Sequence, residues 1–413
     1  MKVRREDLPS GSVSVLKKIV AAVGNRGKVY IYGGWLRDFI LKEMGEDLPL
    51  KSTELEDLDI VIVSDEEPFI LFDEIFQMFP EDLGGLPHPT SLRLFFDKFK
   101  IDLTVTPSLK GKVFDFTVNT FYVSVKDLLE KGESEIRSVH GGFEDLRRKT
   151  LRIVEGFPLK EFPHHTLRGL RLMSVYGLTP TSGTSRSLRE AVKVITDQPP
   201  HYSLIHQEVA EIIQRSGEKG IDILDEYGFW TAFFPPLSDL KKLKEKDSPL
   251  FTNRYEHSIV VTKLLSIFLQ DREELPDELR RIVRLSAPKE LLERGLAPAN
   301  RNVLYSYIIA SVLHDIMRMY PEHTVKGAMA AASLLSDRGF YPMERFIISM
   351  CIFHHHDIHA IVEGEKKPSE VKKLHPLVLS FLIPFTLCDV ISWLVDDVEP
   401  LQPYIEVCHE LLE

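Results

Sequence analysis

Residues 29–42 read VYIYGGWLRDFILK, and residues 57–63 read DLDIVIV. Alternating β-branched and aromatic residues over 29–32 predict a strand, Gly33-Gly34 a tight turn, and the apolar spacing of 35–42 a helix. Residues two apart in a strand share a face, so Asp57 and Asp59 present two carboxylates together while Leu58 turns toward the core. Further strands are expected at LRLFF (92–96), IDLTVT (101–106) and FTVNTFYVSV (116–125), with a helix over 68–78. Strand, glycine turn, helix, acidic strand, helix and three more strands make a head of about the first 140 residues.

From Gly141 onward the strand signal gives way to helical patterns, in FEDLRRKTLRIV, LRGLRLMSVYGL and LIHQEVAEIIQR. The predicted fold class is α+β: a head with a mixed sheet (1–140), a helical neck (141–248) and an all-α domain (249–413). Pro235-Pro236 and KKLKEKDSP (241–249) read as the linker before the last domain. Within that domain the charged, proline-punctuated stretch PDELRRIVRLSAPKELLERGLAPANRN (276–302) reads as an insertion over a pocket.

At 413 residues the chain calls for two or three cores, and an apolar content of 44% supplies them. A net charge of -11 excludes a surface that is basic throughout, so nucleic acid would be held by local stripes. Candidates are Arg147-Arg148-Lys149 with Arg152, Lys241-Lys242 with Lys244, and Arg280-Arg281 with Arg284. Cys351, Cys388 and Cys408 lack paired spacing, which fits a reducing cytoplasm better than a disulfide scaffold or zinc ribbon. The N-terminal MKVRREDLPSG has no apolar run after its charges, so no secretory signal is expected. The apolar stretch 377–395 contains Pro384 and Asp389 and reads as buried helix rather than a membrane span.

In the head, Asp57 and Asp59 can hold Mg²⁺ and leave its other positions for water and phosphate, with Asp102 on a later strand as a third acid. Phosphoryl-type transfer needs such a cluster to align the nucleophile and neutralise charge on the transferring group. Gly33-Gly34 before a helix lets backbone N–H groups approach a triphosphate, and Arg37 adds a charged contact. These residues, with DFTVNT (115–120), GGFEDLRRKTLRIV (141–154) and LRGLR (167–171), resemble the tRNA nucleotidyltransferase and poly(A) polymerase family, a CCA-adding-like branch of the polymerase-β superfamily. The likeness covers roughly residues 28–175. It implies that Asp57 and Asp59 bind catalytic metal, that Gly33, Gly34 and Arg37 form the phosphate site, and that Asp115 and Asn119 lie near the ribose. His165, Arg168 and Arg171 fall where the family reads the base.

The chain also departs from that pattern. Val113-Phe114 replaces an arginine pair, and His164-His165 replaces an acid pair in the base-reading motif, so the family's order of C then A is not implied. A later helix signature containing Glu-Arg is absent, with His206-Gln207 near its expected place.

The last third carries a second set: His257, His314-Asp315, His323, His354-His355 and Asp389, each in an apolar helical context. Buried imidazole and carboxylate need partners, and one divalent cation satisfies several. Their order resembles the HD family of metal-dependent phosphohydrolases. By that likeness His257, His314, Asp315 and Asp389 hold a first metal, His323, His354 and His355 add ligands for a second, and Asp315 bridges. Iron, manganese, nickel or zinc suits such ligands, and a metal-bound hydroxide would attack phosphorus. His356 and His359 are expected to be surface or supporting residues.

The combined expectation is a 3′-end nucleotidyltransferase acting on RNA, tRNA in particular, with NTP and Mg²⁺, joined to an HD phosphohydrolase. A competing reading keeps only the hydrolase, the altered head serving as nucleotide sensor or RNA-binding module. A third makes the whole chain a noncatalytic RNA scaffold.

Overall fold

The computed structural model describes residues 1–48, 56–79, 86–88, 91–109, 114–197, 201–246, 248, 250–270, 275–296, 301–394 and 399–413. The chain divides into two compact units: Met1–Leu159 with Tyr176–Arg186, and Lys160–Val175 with Ser187–Glu413.

The first unit is built on a seven-stranded sheet. Its strands are β1 (Gly27–Tyr32), β2 (Glu56–Ser64), β3 (Leu86–His88), β4 (Ser91–Phe95), β5 (Phe99–Thr106), β6 (Phe121–Ser124) and β7 (Arg137–Ser138), in the spatial order β3-β4-β5-β2-β1-β6-β7. Only β2 and β5 run parallel, so the sheet is mixed as expected. Alternation divides its two faces. Leu58, Ile60 and Ile62 of β2, Ile101 and Leu103 of β5, and Leu92 and Leu94 of β4 are all fully buried. Register places Asp57 opposite Lys100, and Asp59 opposite Asp102, which in turn faces Arg93 of β4. The other face of the central strands is therefore charged.

Helices α1 (Ser12–Val23), α2 (Gly34–Glu43) and α3 (Pro68–Gln77) pack around this sheet. The helix α1 has no counterpart among the predicted elements, although Val15, Leu16, Ile19, Ala22 and Val23 form a buried stripe at helical spacing. The strand expected over 116–125 exists only as β6. Thr117–Asn119 is instead a 3-10 turn, in which Asp115 accepts from its neighbour's amide and from the Asn119 side chain. Such local bonds compete with a strand ladder. The helical reading of 143–154 also shortens: the helix is Gly142–Arg147, Lys149 has φ +51°, and Thr150–Leu151 pairs with Thr179–Pro180. A Cβ on Gly142 would lie 2.4 Å from the Thr117 carbonyl oxygen, so only glycine permits this helix start to touch the turn.

The second unit is helical. Its main elements are α4 (Pro163–Tyr176), α5 (Tyr202–Glu226), α6 (Arg254–Gln270), α7 (Val303–Leu313), α8 (His323–Asp337), α9 (Pro342–His354), α10 (Asp357–Val362), α11 (Pro376–Ile391) and α12 (Gln402–Leu412). The last residue of α4, Tyr176, belongs with the first unit. Helices α7 and α11 are apolar all round because neighbours surround them: every residue of α7 is buried, as is nearly every residue of α11. Among the described residues no helix is long and apolar enough to cross a membrane. The stretch expected to cover a pocket contains the amphipathic helix Asp277–Ser286, whose Leu279, Ile282 and Val283 pack against α11 and α12. It is a member of the bundle. All three cysteines are free and buried.

Candidate functional site

In the first unit, Gly33 turns the chain from β1 into α2 with φ +85°, and its N–H donates to the Phe121 carbonyl at 3.0 Å. A Cβ there would come within 3.1 Å of Asp59 Oδ2 in a conformation L residues avoid, so glycine lets the turn lie against the acid. The amides that follow open a helix and have no intrahelical acceptors, which makes them donors for an anion.

Carboxylate oxygens of Asp57, Asp59 and Asp102 lie within 4.8 Å of one another. Lys100 Nζ is 2.9 Å from Asp57 Oδ2 and 3.9 Å from Asp102 Oδ2. Arg93 meets Asp102 through two bonds, Nε to Oδ1 at 2.5 Å and a terminal nitrogen to Oδ2 at 3.0 Å. The other oxygen of Asp57, Oδ1, is enclosed and accepts no hydrogen bond from the described residues. An enclosed carboxylate oxygen without a donor is costly, and a small cation among three acids answers it. The trio fits Mg²⁺ on that ground.

Arg37 departs from the expected free phosphate contact. Its guanidinium is buried, bonding Asp38 Oδ1 at 2.8 and 3.0 Å, Asn119 Oδ1 at 2.7 Å and the Tyr176 hydroxyl at 2.7 Å. Asn119 passes the chain on to Asp115 through its amide at 3.0 Å. Arg37, Asp115 and Asn119 thus form one connected support beneath the glycine turn. Phe114, where the family has arginine, is buried with its ring edge-on to Tyr32, while Val113 lies outside the described residues.

The expected base-reading residues belong to the second unit. Arg168 and Arg171 both donate to Glu208, at 3.2 and 2.7 Å. Burial alone would raise the Glu208 pKa, but the two guanidinium groups hold it below the usual carboxylate value. No motif surrounds Glu208, and its signal in the sequence is an acid on the apolar face of α5 between Ile205 and Ile212. The rings of His164 and His165 are 4.3 Å apart. Burial, and then the neighbouring His165, push the His164 pKa down to about 4.

The second unit also gathers the HD residues. Ligating atoms of His257, His314 and Asp315 lie within 4.8 Å of one another, and so do those of His323, His355 and His356. Asp315 joins the two groups, 3.6 Å from His314, 3.7 Å from His323 and 3.8 Å from His355. Asp389, at the end of α11, is 3.1 Å from both His257 and His359. Two expectations are corrected. His354 turns away and bonds Asp357 through Nδ1 at 2.7 Å. His356, expected to be a surface or supporting residue, stands among the possible ligands, because α9 ends at His354 and the next turn brings it beside His355; His359 takes the supporting role, with Nε2 3.1 Å from Asp389 and Nδ1 3.1 Å from the Tyr404 hydroxyl.

Hydrogen bonds fix the imidazole tautomers. Nδ1 of His314 bonds the Ser311 carbonyl at 2.7 Å, and Nδ1 of His355 bonds the Ile352 carbonyl at 2.6 Å. A carbonyl only accepts, so each Nδ1 carries the proton and each Nε2 presents a lone pair. Among the described residues the buried Nε2 of His355 has no hydrogen-bond donor. Burial keeps His314 and His355 below the ordinary histidine pKa. For Asp315 burial acts the other way, but the positive charge that can gather around it, the Arg318 guanidinium included, outweighs burial and holds the acid well below the carboxylate range. Neutral imidazoles with free lone pairs around an ionised carboxylate are a donor set that fits a transition metal.

No family model matches the chain. A curated relative, the A-adding tRNA nucleotidyltransferase of Geobacter sulfurreducens, is 24% identical over 253 residues, covering 56% of this chain and 27% of that protein. The chain thus matches about a quarter of that relative's length. Among solved structures, the Thermotoga maritima CCA-adding enzyme complexed with tRNA superposes with TM-score 0.58 at 15% identity, covering 100% of this chain and 85% of that one. A tRNA nucleotidyltransferase complexed with a primer tRNA and an incoming ATP analogue gives 0.60 at 16% identity, over 96% and 98%. A tRNA-processing enzyme in an apo form gives 0.61 at 16%, over the full length of both. Motifs, curated relative and solved structures agree: the chain is similar to the tRNA nucleotidyltransferases and has their fold.

Proposed function

We propose that the first unit transfers a nucleotide from an NTP to the 3′ end of RNA, with tRNA as the substrate. The observation that supports this most is the placement of Asp57, Asp59 and Asp102 on one sheet face beside the Gly33 turn. In such a reaction the RNA 3′-hydroxyl attacks the α-phosphorus and pyrophosphate leaves. Asp57 and Asp59, with Asp102 beside them, would hold Mg²⁺, which when bound lowers the nucleophile's pKa and offsets charge on the triphosphate. The opening amides of α2 would meet the anionic leaving group, and the Arg37, Asn119 and Asp115 network would hold that turn in place. Mixing the protein with tRNA, Mg²⁺ and each labelled NTP tests the reading; no extension with any nucleotide would remove it.

The second unit carries a separate proposal, metal-dependent hydrolysis of a phosphoester, supported by the unprotonated Nε2 atoms of His314 and His355 lying 3.6 and 3.8 Å from Asp315. His257, His314, Asp315 and Asp389 would hold one cation, and His323, His355 and His356 a second. Metal analysis of the purified protein, combined with a panel of phosphoester substrates, tests this part: a protein that carries no transition metal and cleaves none of them would end it.

A further inference from the structure

The face that carries the acid trio is not purely acidic. Lys100 stands next to Asp57 across the β2–β5 pairing and touches it at 2.9 Å, with Asp102 3.9 Å away. Arg93 stands opposite Asp102 across β4–β5 and grips both of its oxygens. Strand alternation puts all five side chains on one face, so two cations and three carboxylates form a row across three neighbouring strands. The two cations do not stand alike toward water, the Lys100 side chain being 21% exposed and that of Arg93 49%.

We propose that Lys100 and Arg93 are resident counter-ions of the trio, which occupy its carboxylates while no nucleotide is bound and exchange them for the incoming phosphates. The inference rests on the transferase reading of this face. An ammonium 2.9 Å from a would-be ligand oxygen competes with a divalent ion for that oxygen and repels it. A triphosphate changes the balance because it offers both side chains a new anionic partner, and the guanidinium of Arg93 has the fork geometry that suits phosphate oxygens. Lys100 and Arg93 then act twice: they hold free metal off the empty site, and they bind the nucleotide when it arrives. Both contact the nucleotide's phosphates, while holding the metal that activates the RNA hydroxyl is left to the acids.

The test is Mn²⁺ binding without nucleotide, read by the electron paramagnetic resonance signal of free Mn²⁺. The full chain carries His314→Ala and Asp315→Ala to silence the second unit, and the same protein with Asp57→Asn and Asp59→Asn supplies the baseline. Lys100→Met should bind Mn²⁺ about tenfold more tightly than its parent, the scale expected from removing one unit charge a few ångströms away. Arg93→Met should tighten it less, and Lys100→Arg should restore the weak binding of the parent. Both methionine variants should bind an unhydrolysable NTP more weakly in the presence of metal. Tighter Mn²⁺ binding in Lys100→Met without any nucleotide transfer by the intact chain leaves the counter-ion role standing and removes the transferase reading. Unchanged or weaker Mn²⁺ binding in both methionine variants removes the counter-ion role, whether or not transfer is seen.

Discussion

The two candidate cation sites solve the same problem in opposite ways. The acids of the first unit sit partly exposed on a sheet, and Asp57 and Asp102 are paired with the side-chain cations Lys100 and Arg93. The ligands of the second unit are buried among apolar helices, with Asp315 and His355 both inside the bundle and imidazole lone pairs held by backbone carbonyls. An open site with exchangeable partners suits a metal that comes and goes with substrate phosphate. A closed site with preset tautomers suits a resident metal, because among the described residues Nε2 of His355 accepts no hydrogen bond.

The largest effect that would sharpen this contrast is on catalysis. Asp57→Asn with Asp59→Asn should lower nucleotide incorporation at least about a thousandfold, the scale of losing transition-state charge stabilisation, while the second unit's metal content stays unchanged. Conversely, Asp315→Ala should strip transition metal from the purified protein and end phosphoester cleavage, with incorporation within about twofold of the parent. Loss of both activities in either variant would break the separation of the two sites.

Next in size is stability. Arg37 is buried against Asp38, and Arg37→Met leaves that acid without its guanidinium, at a cost of about 3–5 kcal/mol in denaturant titration. A variant as stable as the parent but unable to bind NTP would return Arg37 to a direct phosphate role. Smaller still is a contrast within the histidine run: His356→Ala should reduce bound transition metal, whereas His354→Ala, which removes one of the partners of Asp357 and leaves it Lys366, should not.

The smallest effect is a slope. The folded protein holds the His164 pKa at about 4, below the ordinary histidine value. Between those two values the unfolded chain binds the proton more readily, so stability falls as pH drops from about 6.5 to about 4 and this contribution then levels off. His164→Gln should flatten that segment of a stability profile; an unchanged slope would mean that other groups set it.

The sheet was legible because its period is short and its residues extreme: Leu58, Ile60 and Ile62 alternate with Asp57 and Asp59, so one face declares itself. What no single strand states is its register, and the pairing of Lys100 with Asp57 and of Arg93 with Asp102 depends on it. The histidine run 354–356 failed for a related reason. A helix turns each residue about 100° from the last, so three consecutive histidines cannot all face inward, and the choice among them depends on where α9 ends. His359 became visible only through Asp389, which comes from another helix. Glu208 stayed hidden because a buried acid on an apolar helix face is read as solvated unless its arginine partners are known to be near.

Extension of tRNA by the purified chain, with each labelled NTP and Mg²⁺ and with the Asp57→Asn, Asp59→Asn variant alongside, tests the central claim most directly. The account predicts nucleotide added to the 3′ end by the parent and none by the variant. Equal extension by both proteins, or extension by neither, would contradict it.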